Sequence, residues 1–81
     1  MYTLIDKTHN IIAEFESIDD FRKYMLTALD NYPDKIFDEV TIDAMILYSE
    51  EREYLQQKIA NCTSIKALQF YLKPNLQIAE S

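Results

Sequence analysis

Apolar and charged side chains alternate along residues 11–16, with Ile11, Ala13 and Phe15 on one side and Glu14 and Glu16 on the other. A period of two is the repeat of a half-buried strand. The run from Tyr2 to Asp6 is also β-favouring, and the intervening Lys7-Thr8-His9-Asn10 predicts a hairpin in which Asn10 takes the left-handed conformation usually left to glycine. The period then changes. Phe21, Tyr24, Met25, Ala28, Leu29 and Tyr32 recur at spacings of three and four, opposite Asp19, Arg22, Lys23, Thr27 and Asp30, which predicts an amphipathic helix over 18–32. Ser17 with Asp20 three residues on has the capping-box form at its start, and Pro33 stops it.

Residues 39–48 fit two periods. Val40, Ile42, Ala44, Ile46 and Tyr48 alternate and are β-branched at the start, as in a third strand. Met45, Tyr48, Leu55, Ile59 and Cys62 also fit one long helix over 42–61. Ser49 favours the strand, because it stands as an N-cap directly before Glu50, Glu51 and Glu53 and so predicts a helix over 50–61. Ser64 is a further cap, ahead of a short helix over 65–73 carrying Ile65, Leu68 and Leu72 and ended by Pro74; a strand from Lys66 to Leu72 is the alternative. Residues 74–81 form an edge strand or a free tail. The pattern predicts a small single α+β domain over 1–81: an N-terminal β-hairpin and a third strand packed against two or three helices.

Composition removes most chemistry from this picture. None of the 81 residues is glycine, where average usage predicts about six. Phosphate-cradling loops, dinucleotide fingerprints and nucleophile elbows need a residue without Cβ, so none of them exists here. A lone Cys62 makes no intramolecular disulfide and reads as a small apolar residue. His9 reads as a solvated loop residue, with no second His to share a ligand. The adjacent acids Asp19-Asp20, Asp38-Glu39 and Glu50-Glu51 sit in polar stretches, two of the pairs at helix starts, which explains them without catalysis. No calcium-loop or zinc spacing occurs. The expectation is a protein that is not an enzyme and holds no cofactor or metal. The longest apolar run, Ala44 to Tyr48, is far short of a membrane span, and no signal pattern opens the chain, which points to the cytoplasm.

Charge and aromatic content then give the functional expectation. The net charge is -6, divided unevenly: residues 1–53 carry thirteen acids and five bases, residues 54–81 one acid and three bases. Such a surface repels nucleic-acid backbones and anionic lipid and attracts basic proteins, so neither direct nucleic-acid nor membrane binding is expected. Six Tyr, four Phe and three Met exceed what a domain this small buries completely, leaving apolar surface for association. These features predict a module that docks on a protein with a basic surface, such as a nucleic-acid-binding protein, and inhibits or regulates it. The partner-binding residues expected are Asp19, Asp20, Asp38, Glu39, Glu50 and Glu51 with Tyr2, Tyr48, Tyr54 and Phe70. Inhibitors, antitoxins, immunity proteins and phage-encoded antagonists of defence share this character, and a sharper version has the carboxylates imitate nucleic-acid phosphates. The alternative is an assembly protein that forms a homodimer through a strand edge or its C-terminal apolar segment.

Overall fold

In a computed structural model that describes residues 1–80, β1 (Tyr2–Asp6) and β2 (Ile11–Phe15) form the expected antiparallel hairpin. Asp6 organises the turn. Its Oδ1 accepts from the Thr8 amide at 2.9 Å, the Thr8 hydroxyl at 2.8 Å and the Asn10 amide at 3.0 Å. The left-handed position is His9, with φ of 63°, and not Asn10 as expected. Asn10 instead spends its side chain within the turn, Nδ2 donating to the Thr8 hydroxyl at 2.8 Å.

Ile11 also departs from expectation. The register slips between Leu4↔Ala13 and Ile5↔Ile11, so Ile12 is an extra residue in β2. A bulge of this kind breaks strict alternation. Phe15 is buried and Ala13 half-buried as expected, but Ile11 is 62% exposed, and Ile12 is exposed beside it.

The third strand is the tail, not residues 39–48. β3 (Leu76–Glu80) runs antiparallel to β1 from Tyr2↔Glu80 to Asp6↔Leu76, giving the order β2-β1-β3. The first strand in sequence is therefore the central one. Around this sheet stand α1 (Ile18–Asn31), α2 (Pro33–Ile36), α3 (Glu39–Leu47), α4 (Glu51–Asn61) and α5 (Ile65–Gln69), an α+β domain. Among the described residues no helix is long and apolar enough to cross a membrane.

α1 follows its sequence signals closely. The Ser17 hydroxyl accepts from the Asp20 amide at 3.2 Å, Asp19 and Asp20 occupy the first turn, and Phe21, Met25, Ala28 and Leu29 are buried. Its apolar stripe meets Phe15 of β2, whose ring stacks on Phe21 at 4.8 Å and tilts against Tyr24 at 5.0 Å. Leu4, Ile36, Phe37, Leu55, Ile59, Leu68, Leu72 and Leu76 complete one cluster, drawn from every element except α3. Each such side chain contributes about 1.5–3 kcal/mol by leaving water. Pro33 ends α1 and opens α2 at its first position, where its missing N–H costs nothing.

One polar tie between α1 and the end of α4 comes from Arg22. Its guanidinium pairs with Asp19 and donates to the Cys62 carbonyl, supplying a donor at the C-terminal end of α4. α5 is shorter than expected and stops at Gln69, ahead of Pro74. Leu72 bridges Phe37, and this small ladder, with Asp38 N–H on the Tyr71 carbonyl at 3.1 Å and Lys73 N–H on the Ile36 carbonyl at 2.8 Å, draws 70–73 out of the helix.

Candidate protein-docking surface

Residues 39–47 form a helix because Asp38 caps it. The Asp38 Oδ1 accepts from the Thr41 amide at 2.7 Å, and Glu39 places an acid in the first turn. The cap decides against the strand that Val40, Thr41 and Ile42 favour locally, and the Tyr48 N–H closes the helix on the Ala44 carbonyl at 2.9 Å. Ser49 is not the cap of α4. That position is taken by Glu50, with no side-chain capping bond, and the Glu51 N–H turns back to the Tyr48 carbonyl at 3.1 Å. The segment is therefore two helices joined by a tight turn, neither a strand nor one continuous rod.

What distinguishes α3 is that six of its nine residues are apolar and lie on nearly all sides of the helix, yet none is fully buried. A helix apolar on nearly all sides ordinarily lies inside a protein, and here only Glu39 and Asp43, at i, i+4, give a narrow exposed polar strip. Here Ile42 and Met45 pack half-buried against the core, whereas Val40, Ile46 and Leu47 are 79%, 76% and 73% exposed. Val40, Ala44 and Leu47 are spaced i, i+4, i+7, a single stripe on the outer side, and Tyr48, 65% exposed, extends it past the helix end. Four large apolar side chains thus meet solvent within nine residues.

The charge along this stripe is predominantly acidic. Asp38 and Glu39 stand at its N-terminal end, Asp43 lies exposed on the helix, and Glu50, Glu51 and Glu53 follow the turn. The sole base among residues 38–53, Arg52, faces away toward Asp30 of α1, with Nη1 at 3.6 Å from Oδ1. At the start of α3 a groove of about 490 Å3 separates Asp38, Glu39 and Val40 from Lys73, Pro74 and Asn75.

Of the ten residues expected from sequence, Asp38, Glu39, Tyr48, Glu50 and Glu51 gather on α3 and its flanks. The other five lie elsewhere. Asp19 and Asp20 begin α1, with Asp19 held by Arg22; Tyr2 is half-buried in the sheet; Tyr54 is exposed on α4; and Phe70, 80% exposed, follows α5. All three acid pairs turn out to occupy helix N-terminal ends, Asp38-Glu39 included. Sequence reasoning missed Val40, Ile46 and Leu47. The i, i+4, i+7 spacing of Val40, Ala44 and Leu47 was the available signal, masked by the alternation of Val40, Ile42, Ala44, Ile46 and Tyr48.

Cys62 is half-buried, its thiol donating to the Ser64 carbonyl at 3.4 Å, and His9 is exposed in the hairpin turn. Among the described residues no group of three His, Cys, Asp or Glu is placed to hold a metal ion. Comparison with known protein families, characterised proteins and solved structures finds no match to this chain.

Proposed function

We propose that this chain is a non-enzymatic binding module that inhibits or regulates another protein by laying α3 into an apolar groove bordered by Lys and Arg. One observation carries the reading: the helix with the largest share of apolar residues is the one with no fully buried residue, and the charges along it and its flanks are predominantly acidic. An amphipathic partner groove would receive Val40, Leu47 and Tyr48 as anchors, with desolvation at the centre supplying affinity. Glu39, Asp43, Glu50 and Glu51 would face the basic border, speeding encounter and fixing orientation. Charge also argues for a different protein over a second copy of this one. Two α3 faces brought together would oppose Glu39, Asp43, Glu50 and Glu51 of each copy with only Lys73, across the groove at the start of α3, to relieve them, and like charges juxtaposed in an interface cost several kcal/mol.

The test is capture by the tagged chain, run in parallel with Leu47→Asp and with Glu39→Lys combined with Asp43→Lys. Leu47 is solvent-facing, so the first variant keeps its fold, which circular dichroism verifies. A protein retained by the parent chain, lost from Leu47→Asp and weakened at least tenfold by the charge reversal is the expected result, with affinity falling as salt rises. Equal retention by all three chains would rule α3 out as the docking element. Retention by Leu47→Asp with loss in the reversed-charge chain would favour phosphate mimicry by the carboxylates instead.

A further inference from the structure

A second concavity, independent of α3 and of the reading above, lies between α4 and α5. It is a cleft of about 490 Å3 whose α4 wall is formed by Tyr54, Gln57, Lys58 and Asn61, and whose α5 side is formed by Ala67 and Tyr71, with Cys62 between. Spacings of three and four place the α4 residues on one helix face. Although the chain has fourteen acids, none lines this cleft. Its polar groups are two phenols, two amides and one ammonium.

Lys58 sits at the centre of these groups. Its Nζ lies 5.3 Å from the centroid of the Tyr54 ring, a cation–π contact. Interaction with Tyr54, and the nearness of Tyr71, raise the ammonium pKa above its ordinary value. Asn61 commits one Nδ2 hydrogen to the Gln57 carbonyl at 2.9 Å and has a second to offer. The acid nearest along α4 is Glu53, about 7.5 Å from Lys58 along the axis at 1.5 Å of rise per residue and turned about 140° from it around the helix; Glu51 stands about 10 Å away, roughly a Debye length at physiological salt.

We propose that the α4–α5 cleft is a binding site for a carboxylate borne on an aromatic or apolar group, of the kind a peptide chain end presents. One ammonium without a guanidinium matches a single negative charge better than a phosphate dianion, which is better held by a bidentate arginine fork. The phenols and amides give the second carboxylate oxygen its donors. Ala67 and the faces of the Tyr54 and Tyr71 rings provide the apolar contact. Residues 54–81, which supply all of the cleft's lining, carry three bases and one acid, a local balance that favours an anion.

The test is titration of the isotopically labelled full chain, followed by amide resonances, with three probes: N-acetylphenylalanine, its carboxamide, and 3-phenylpropionate. N-acetylphenylalanine is expected to shift Gln57, Lys58, Asn61, Ala67 and Tyr71 saturably, with a dissociation constant of about 1 mM. The carboxamide should bind at least tenfold more weakly, and Lys58→Met should abolish the shifts while leaving the rest of the spectrum unchanged. Tighter binding of N-acetylphenylalanine than of 3-phenylpropionate assigns the site to chain ends, and equal binding assigns it to free acids. Absence of shifts, equal binding of acid and carboxamide, or shifts that survive Lys58→Met would each overturn the proposal.

Discussion

The hairpin turn rests on one side chain, because Asp6 gathers the Thr8 hydroxyl and the Thr8 and Asn10 amides on a single carboxylate. These bonds favour the ionised form, the Thr8 hydroxyl most, and hold the Asp6 pKa below its ordinary value of about 4. A depressed folded-state pKa gives stabilisation that is complete above the unfolded value and lost as pH falls through the folded one. The hairpin should therefore loosen on acidification, below about pH 4, and not on the alkaline side. Titration followed at the Asp6 carboxyl resonance should show a lowered midpoint that Thr8→Val moves back toward the ordinary value. An unchanged midpoint in Thr8→Val would remove the hydroxyl from this account. In the core the decisive side chain is Phe21, fully buried and stacked on Phe15. Phe21→Ala should cost about 3–5 kcal/mol, against a total stability of about 4–12 kcal/mol for a domain of this size. Urea denaturation would show a midpoint shifted strongly downward, or no folded baseline at all. A loss below about 1 kcal/mol would mean that the aromatic cluster does not organise the core.

Among the elements, legibility follows how many independent signals agree. α1 was readable because Ser17, the acids of its first turn, the stripe from Phe21 to Leu29 and Pro33 all mark the same helix. α3 was not, because its apolar residues satisfy period two and period 3.6 together, and Glu39 and Asp43 give too narrow a polar strip to separate the two. Its β-branched start pulled the reading further toward a strand, and only the Asp38 cap, a tertiary outcome as much as a local one, settles it as a helix. The bulge that exposes Ile11 was likewise beyond sequence, since it exists only in the register between β2 and β1. So was the early end of α5, which depends on Leu72 finding Phe37. For the docking surface, the acids and Tyr48 were visible as charge and aromatic excess, whereas Val40, Ile46 and Leu47 were hidden by the assumption that apolar residues lie inside. These arguments make Asp38 the element-scale test. Asp38→Ala removes the cap and should cost about 1 kcal/mol, lowering helical ellipticity, and broadening or shifting the amides of 39–47. Resonances of α1 should stay in place. If 39–47 remain unchanged in that variant, the helix is held by packing of Ile42 and Met45 and not by its cap.

For the whole molecule, the apolar α3 face and the excess of acid work against each other, and that opposition predicts association behaviour. Val40, Ile46, Leu47 and Tyr48 expose large apolar side chains within nine residues, and exposed apolar surface of this kind draws copies of a protein together. Asp38, Glu39, Asp43, Glu50, Glu51 and Glu53 border the same patch, and the net charge of -6 repels at longer range. Repulsion between solvent-exposed charges is screened by salt, with the Debye length falling from about 30 Å at 0.01 M to about 3 Å at 1 M, whereas burial of apolar surface is not screened. Sedimentation should accordingly find a monomer at low salt and neutral pH, and growing self-association as salt rises. Glu39→Gln combined with Asp43→Asn and Glu50→Gln should shift that onset to lower salt, and Leu47→Asp should abolish it at every concentration. A dimer already stable at low salt, or association that Leu47→Asp leaves intact, would place the self-contact on the β2 edge or the Ile11–Ile12 surface. It would also reverse the charge argument for a partner of different sequence. The acidic border would then have no role in keeping copies apart, and the assembly alternative would take precedence over docking on a basic partner.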